Sequence, residues 1–196
     1  PRGTVNAMKK VSFTHIGNAT KTEWDIINND HLKDRKETGQ YIINYLKTVG
    51  RTGKPPLQIS LLDHSLQTAT RAFRDGADDE TVVCALLHDI GDKIAPDNHG
   101  KVAAAIMEPF ISPENHWMIL HHPLFQGYHF YHHIGRNRDD RDTFQNHPAY
   151  EKTCHFCDFW DAPAFDPGYD TLPLETFEPM VRKVFEKQPA FSNTAN

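Results

Sequence analysis

The sequence predicts an all-α protein. Apolar residues recur at helical spacing in several segments, and no segment shows the sustained apolar–polar alternation that is typical of strands. Glycine and proline, which end helices, lie between these segments. With 196 residues, the chain is long enough for one domain with a substantial core. We therefore expect a single bundle of helices.

The N-terminal quarter is predicted to be a helical extension followed by a loop. Residues 1–7 are expected to be a tag remnant, with Met8 as the native start. Residues 22–48 carry apolar side chains at helical spacing toward their C-terminal end, and Gly50 is a suitable stop. Two glycines and two prolines then predict a loop over 50–56. The extension thus covers residues 8–56, and the main domain covers residues 57–196.

Capping residues mark the next two predicted helices. Ser60 can cap a helix that runs to Arg74. Asp78 or Asp79 can cap the following helix, and the sequence alone does not choose between them. That helix is apolar and runs into the histidine–aspartate pair at 88–89.

The remaining elements follow from similar signals. Asn98 is expected to open one helix. Ser112 and the proline after it begin another, which is expected to end before Pro123. The rest of the chain is predicted as an aromatic and histidine-rich segment over 124–134, a charged surface loop over 136–146, a helix over 148–160, a turn at 166–168 and an amphipathic helix over 174–187.

Composition excludes several classes of protein. The net charge is −5 with neutral histidines, and the absence of a long basic stripe argues against nucleic acid as a partner. No apolar run approaches the length of about 20 residues that crosses a membrane. No secretory signal is evident, so we expect a cytoplasmic protein with a small-molecule substrate.

The three cysteines are not expected to form a disulfide framework, because their number is odd and the chain is large. Cys154 and Cys157 have C-x-x-C spacing, but a zinc ribbon needs a second such pair. Redox use is the alternative, and we expect packing within a helix.

Histidines and aspartates form the most informative pattern of the chain. Thirteen histidines is a high number for this length. His88 and Asp89 are adjacent, and helical geometry would place their side chains about 100° apart. Imidazole and carboxylate ligands without thiolate suit iron, manganese or zinc. The complete order, which offers enough ligands for two metal ions, is His64, His88-Asp89, His99, His121 or His122, and Asp161.

Two positions in this pattern stay open from spacing alone. His121 and His122 compete for one role. Asp158 lies one helical turn before Asp161 and would share its face, although the tryptophan before Asp161 favours the later residue.

Five short stretches carry a resemblance to a known family. They are residues 62–69 (LDHSLQTA), 75–78 (DGAD), 88–92 (HDIGD), 156–161 (FCDFWD) and 165–167 (FDP). The chain resembles the HD-domain superfamily and, within it, the mixed-valent diiron oxygenases of the organophosphonate-cleaving branch. In that branch a tyrosine and a glutamate shortly before the first ligand histidine gate the metal, whereas residues 54–59 contain neither.

The resemblance implies a fold and a set of ligands. The fold would be an HD-domain helical bundle with a central dinuclear site that holds Fe(II) and Fe(III). His64, His88 and Asp161 would bind one iron, and His99 and His122 would bind the other. Asp89 would bridge the two ions, and His88 and Asp89 would form the catalytic pair.

The resemblance also implies an activity. With O2 as co-substrate, the enzyme would cleave the C–P bond of a 1-hydroxy-2-(trimethylammonio)ethylphosphonate, giving phosphate and a carboxylate such as glycine betaine. We expect Asp92, one turn after the histidine–aspartate pair, and Gln126 to contact substrate. Arginine suits phosphonate oxygens, so Arg138 and Arg141 are candidates, although a solvated loop is an equal alternative.

Two other functions are compatible with the same residues. The first is a metal-dependent phosphohydrolase, in which metal-bound hydroxide attacks a phosphoester or nucleotide. The second is a metal-binding regulatory module without catalysis. The full ligand set argues against the second.

Overall fold

The computed structural model describes residues 10–49 and 56–187, which contain α-helices and no strand, so the all-α prediction is confirmed. The predicted tag remnant, Met8, Gly50 and most of the loop over 50–56 lie outside these residues. No helix described here combines the length and the apolar character needed to cross a membrane. The α-helices are α1 (Lys21–Val49), α2 (Leu61–Arg74), α3 (Asp79–Leu87), α4 (His99–Met107), α5 (Pro113–Phe130), α6 (Tyr150–His155) and α7 (Leu174–Phe185).

Helix α3 is the centre of the bundle. It packs against α2, α5 and α7, and every residue from Thr81 to Leu87 is buried. A helix that is apolar on all sides can be stable only inside a core, which explains its position. The C-terminal end of α3 therefore points into the middle of the protein, where it delivers the histidine–aspartate pair.

Capping side chains fix where α2 and α3 begin. Ser60 and Asp63 form a capping box at the start of α2. The carboxylate of Asp78 accepts a hydrogen bond from the Thr81 amide at 2.7 Å, so Asp78 rather than Asp79 is the N-cap of α3. The helix ends at Leu87, earlier than predicted, and the chain continues from there through a series of tight turns.

Helix α5 passes through Pro123, so the prediction that it ends before this residue is wrong. A proline inside a helix leaves the carbonyl four residues earlier without its amide donor. Here that carbonyl belongs to Ile119, and it accepts a hydrogen bond of 2.7 Å from Nδ1 of His122 instead. The side chain of His122 thus replaces the missing backbone donor, and the helix continues to Phe130.

Two further segments differ from prediction in detail. Residues 136–146 are not a plain surface loop: Arg138–Phe144 form a 3-10 helix, and Arg141 is buried. The predicted helix over 148–160 is α6 followed by a π-helical turn, Phe156–Asp161. Turns of this kind occur often at functional sites, because the wider turn changes which side chains share a face.

Gly91 allows the chain after the histidine–aspartate pair to approach α4 closely. A Cβ atom at this position would lie 2.8 Å from both the His99 carbonyl oxygen and the Val102 Cβ. We predict that Gly91→Ala lowers the free energy of unfolding by about 1–3 kcal/mol, because α4 must shift. Urea denaturation measures this change.

Gly168→Ala is the matched control, since its Cβ would meet only the flexible carboxylate of Asp166 at 3.3 Å. Its effect should stay within about 0.5 kcal/mol. Equal stability of Gly91→Ala and the wild-type protein would show that this close approach imposes no constraint.

Candidate metal centre

Four helices bring imidazole nitrogens together at the end of α3. His88 is fully buried, and its Nε2 lies 3.1 Å from Nε2 of His64, which comes from α2. His122 from α5 and His99 from the start of α4 approach from the other side. The ring of His122 lies 5.0 Å from that of His88 and 5.2 Å from that of His99. Of the two neighbouring histidines, His122 is therefore the one that lies beside the other imidazoles.

Asp89 lies between two pairs of histidines. Its Oδ2 lies 3.5 Å from Nε2 of His64 and 3.4 Å from Nε2 of His88. Its Oδ1 lies 3.3 Å from Nε2 of His99 and 3.2 Å from Nε2 of His122. Each carboxylate oxygen therefore faces a different pair of imidazole nitrogens.

Backbone carbonyls orient all four imidazoles in the same way. Nδ1 of each ring lies 2.7 to 3.0 Å from a carbonyl oxygen. A carbonyl can only accept a hydrogen bond, so Nδ1 of each ring carries a proton, and Nε2 can offer a lone pair to the centre whenever the ring is neutral. Metal-binding histidines are oriented by contacts of this kind. The carbonyls belong to Ala164, Ala85, Pro96 and Ile119 for His64, His88, His99 and His122, respectively.

Asp161 completes the group from the π-helical turn. Its Oδ1 lies 3.1 Å from Nε2 of His64 and 3.5 Å from Nε2 of His88, and it accepts a hydrogen bond of 3.0 Å from the Gln126 amide. Its Oδ2 is buried and has no hydrogen-bond partner among the described residues. A buried carboxylate oxygen without a partner is costly, so it marks a place where a cation would be favourable.

The spacing of these atoms is suitable for a metal ion. An ion with bonds of about 2.1 Å holds its ligand atoms about 3.0 Å apart in an octahedron and about 3.4 Å apart in a tetrahedron. The distances of 3.1 to 3.5 Å among His64, His88 and Asp161 lie close to this range. His88, Asp89 and His122 also offer ligand atoms within 4.8 Å of one another. The group can therefore hold a metal.

The charges of the buried side chains at the centre also favour binding of a cation. Burial disfavours the charged form of His88, but the charges of Asp89 and Asp161 outweigh it and raise the pKa of His88 to about 9. Burial opposes ionisation of both carboxyl groups, yet the nearby histidines hold their pKa values below the usual range. Burial lowers the pKa of His122. Two carboxylates and one imidazolium leave a net negative charge in a buried site.

A tyrosine that the sequence did not single out lies beside the centre. Tyr45 of α1 and Asp89 both line a cavity of about 10 Å³, roughly the space of one water molecule. The Tyr45 hydroxyl is buried and has no hydrogen-bond partner among the described residues. Burial and the negative charge of half-buried Asp92 raise the pKa of Tyr45. No local signal could predict that these two residues line one cavity, because Asp89 lies more than forty positions after Tyr45 in the chain.

The other predicted substrate residues differ in what they contact. Gln126 contacts Asp161 directly, as described above. Arg141 donates to Oδ1 of Asp158 at 2.9 Å, and its guanidinium lies 3.7 Å from the centroid of the Tyr128 ring. Arg138 lies 4.0 Å from the same centroid. Asp158 is therefore engaged by an arginine, while Asp161 faces the histidines. As substrate contacts, Asp92, Gln126, Arg138 and Arg141 stay predictions.

The remaining histidine and cysteine candidates lie outside the group. The ring of His121 stacks on Trp117, with 4.0 Å between the ring centroids. Cys157 is buried, Cys154 is half-buried, and both are free thiols, as expected for packing residues. Burial raises the pKa of each thiol, which disfavours the reactive thiolate.

Comparison with protein families and curated proteins identifies no relative of this chain. No protein family and no curated protein matches this chain. The family resemblance therefore stays a prediction that depends on the quoted stretches, and the geometry described above is independent of it.

We predict that the metal-free protein releases about one proton per chain when metal binds at pH 7. The pKa of His88 is raised above its unfolded value of about 6.5 to about 9, so the ring is charged at pH 7 and must lose a proton to bind metal. Calorimetric titration with Zn(II) in buffers of different ionisation enthalpy measures this proton.

Above pH 9.5 the number of protons released on metal binding should fall toward zero, because His88 is then already neutral. The same shift stabilises the metal-free fold fully below about pH 6.5, and this contribution is lost as the pH rises through about 9. Heats at pH 7 that do not depend on the buffer would contradict the assignment of a charged His88.

Proposed function

We propose that this protein is a dinuclear metal enzyme of the HD-domain type. His64, His88 and Asp161 would hold one ion, His99 and His122 would hold the second, and Asp89 would bridge them. The observation that carries this proposal is the position of Asp89, whose two oxygens face separate histidine pairs at 3.2 to 3.5 Å. The unpartnered, buried Oδ2 of Asp161 supports the first of the two sites.

The ions we assign are Fe(II) and Fe(III), with O2 as co-substrate. A set of four imidazoles and two carboxylates suits iron, manganese or zinc, and it contains no thiolate, which structural zinc sites usually use. The resemblance to mixed-valent diiron oxygenases selects iron among these metals. When bound, the iron pair would activate dioxygen and transfer electrons, which a redox-inactive metal such as zinc cannot do.

The protein's own residues would fix the irons and position the substrate. Gln126 holds Oδ1 of Asp161, so it limits rotation of that carboxylate. Tyr45 and Ile90 line both the small cavity beside Asp89 and a larger cleft of about 730 Å³. Substrate would approach through this cleft, which passes between α1 and residues 90–94. Asp92, near Tyr45, would face the cationic or hydroxyl-bearing part of the substrate.

The proposed substrate is an organophosphonate of the 1-hydroxy-2-(trimethylammonio)ethyl type. Its oxidation adds both atoms of O2, one to the carboxylate product glycine betaine and one to phosphate, so one O2 is consumed per C–P bond. The anionic phosphonate would be drawn to a centre in which two carboxylates do not neutralise the metal charge. A cytoplasmic location, without nucleic-acid or membrane partners, accompanies this proposal.

The alternative is a phosphohydrolase with the same ligands. Two metal ions separated by one bridging carboxylate can also activate a hydroxide for attack on a phosphoester. The ligand geometry fits both reactions, but only the oxygenase needs O2. Dioxygen dependence is therefore the property that distinguishes the two functions.

We predict that the iron-loaded protein releases phosphate from 1-hydroxy-2-(trimethylammonio)ethylphosphonate in air, with one O2 consumed per phosphate. Phosphate release and oxygen uptake are measured together, and the zinc-loaded protein is the control that should be inactive. Release that continues unchanged under strict anaerobiosis, or with zinc, would favour the hydrolase.

We predict that Asp92→Asn lowers kcat/KM while both irons stay bound. Loss of one charge partner in a partly desolvated site costs about 2–4 kcal/mol, which corresponds to roughly 30- to 1000-fold. Asp30→Asn, on the exposed N-terminal half of α1, is the matched control and should leave kcat/KM unchanged. If Asp92→Asn lost iron instead, Asp92 would be a support for the ligands rather than a substrate contact.

A further inference from the structure

A second pocket lies outside the metal centre, against the π-helical turn. It has a volume of about 460 Å³, which is within the range of small-molecule sites. Residues from α2, α6 and the segment before α7 line it, and none of them belongs to the ligand group of the metal centre. Its composition is unusual for a surface hollow, because it combines two arginines and a histidine with three aromatic rings.

The basic side of this pocket comes from α2. Arg71 and Arg74 are three residues apart, so they share a helix face. The Tyr169 ring lies against both guanidinium groups, 4.0 Å from Cζ of Arg71 and 5.4 Å from Cζ of Arg74. Stacking on an aromatic ring uses the face of a guanidinium and leaves N–H groups at its edge for an acceptor. Nη2 of Arg71 donates to the Pro163 carbonyl at 2.9 Å, which holds that side chain in place.

Only one of the two arginines has a carboxylate partner within 4.0 Å among the described residues. Arg71 has no ion-pair partner within 4.0 Å among the described residues, and its buried Nε has no acceptor there. Arg74 pairs with Asp170 at 2.8 Å, but that carboxylate is 93% exposed, so the pair is weak and replaceable. Asp75 also lines the pocket, yet one of its oxygens already accepts from both His155 at 2.6 Å and Trp160 at 3.0 Å. An anion could therefore replace the exposed Asp170 carboxylate beside Arg74 and also meet the charge of Arg71.

The opposite side of the pocket is an exposed aromatic surface. Phe159 is 62% exposed although it is a large apolar side chain. The centroid of the His155 ring lies 4.8 Å from that of Phe159, with 33° between the ring planes, and the buried Trp160 also lines the pocket. Such a surface can stack a planar ring of a ligand, while the arginines bind a phosphate attached to it.

We propose that this pocket binds a nucleoside monophosphate, with the base on Phe159 and the phosphate at Arg71 and Arg74. Phosphate can accept several charge-assisted hydrogen bonds from a pair of guanidinium groups. The base would stack on the exposed ring of Phe159 and cover it. This site is separate from the metal centre and does not depend on the reaction proposed there.

Calorimetric binding of AMP to the metal-loaded protein tests the proposal. AMP should bind, and Arg74→Gln and Phe159→Ala should each weaken binding by about 10-fold or more. Arg136→Gln is the matched control, because Arg136 also stacks on a tyrosine, 3.7 Å from the Tyr131 centroid, but does not line the pocket. Arg136→Gln should bind AMP like the wild-type protein.

Three results would overturn the proposal. Absence of AMP binding at millimolar concentration would exclude the site. Binding that both pocket variants leave unchanged would place AMP elsewhere, for example at the metal centre as a hydrolase substrate. Inorganic phosphate binding as tightly as AMP, with Phe159→Ala unchanged, would show that the pocket does not recognise a nucleoside.

Discussion

The position of Asp89 between two pairs of imidazoles is the contact on which the rest of the centre depends. One carboxylate oxygen faces His64 and His88, and the other faces His99 and His122. The charge on His88 offsets only one of the two buried carboxylates, and Oδ2 of Asp161 has no partner among the described residues, so a bound cation would be favourable here. This arrangement is the observation behind our proposal of a pair of metal sites that share one ligand.

The fold holds these groups by using backbone atoms at its irregular points. The carbonyl that Pro123 leaves without a donor inside α5 orients His122. The carbonyl of Ala85, near the end of α3, orients His88 in the same way. The Ala164 carbonyl, just after the π-helical turn, orients His64. Helix ends and breaks are where carbonyls lack amide partners, so they are the natural supports for metal-binding histidines.

Much of the fold was predictable because its signals are local. Ser60 caps α2 and Ser112 caps α5 as expected, since a side-chain oxygen followed by an apolar run is a local pattern. The types and order of the centre's side chains were predictable for the same reason. The continuation of α5 through Pro123 was not, because it depends on a histidine that replaces a backbone donor. The proximity of Tyr45 to Asp89 was not predictable either, because it depends on how α1 packs.

The measurement that tests the central claim most directly is the iron content and EPR spectrum of partially oxidised protein. The wild-type protein should bind two irons per chain and show the signal of one coupled Fe(II)/Fe(III) pair. Asp89→Ala should lose both the coupling and the irons, whereas His121→Ala, which changes the neighbouring histidine outside the centre, should keep them. One iron per chain with the signal of an isolated ferric ion, unchanged by Asp89→Ala, would contradict the shared-ligand account.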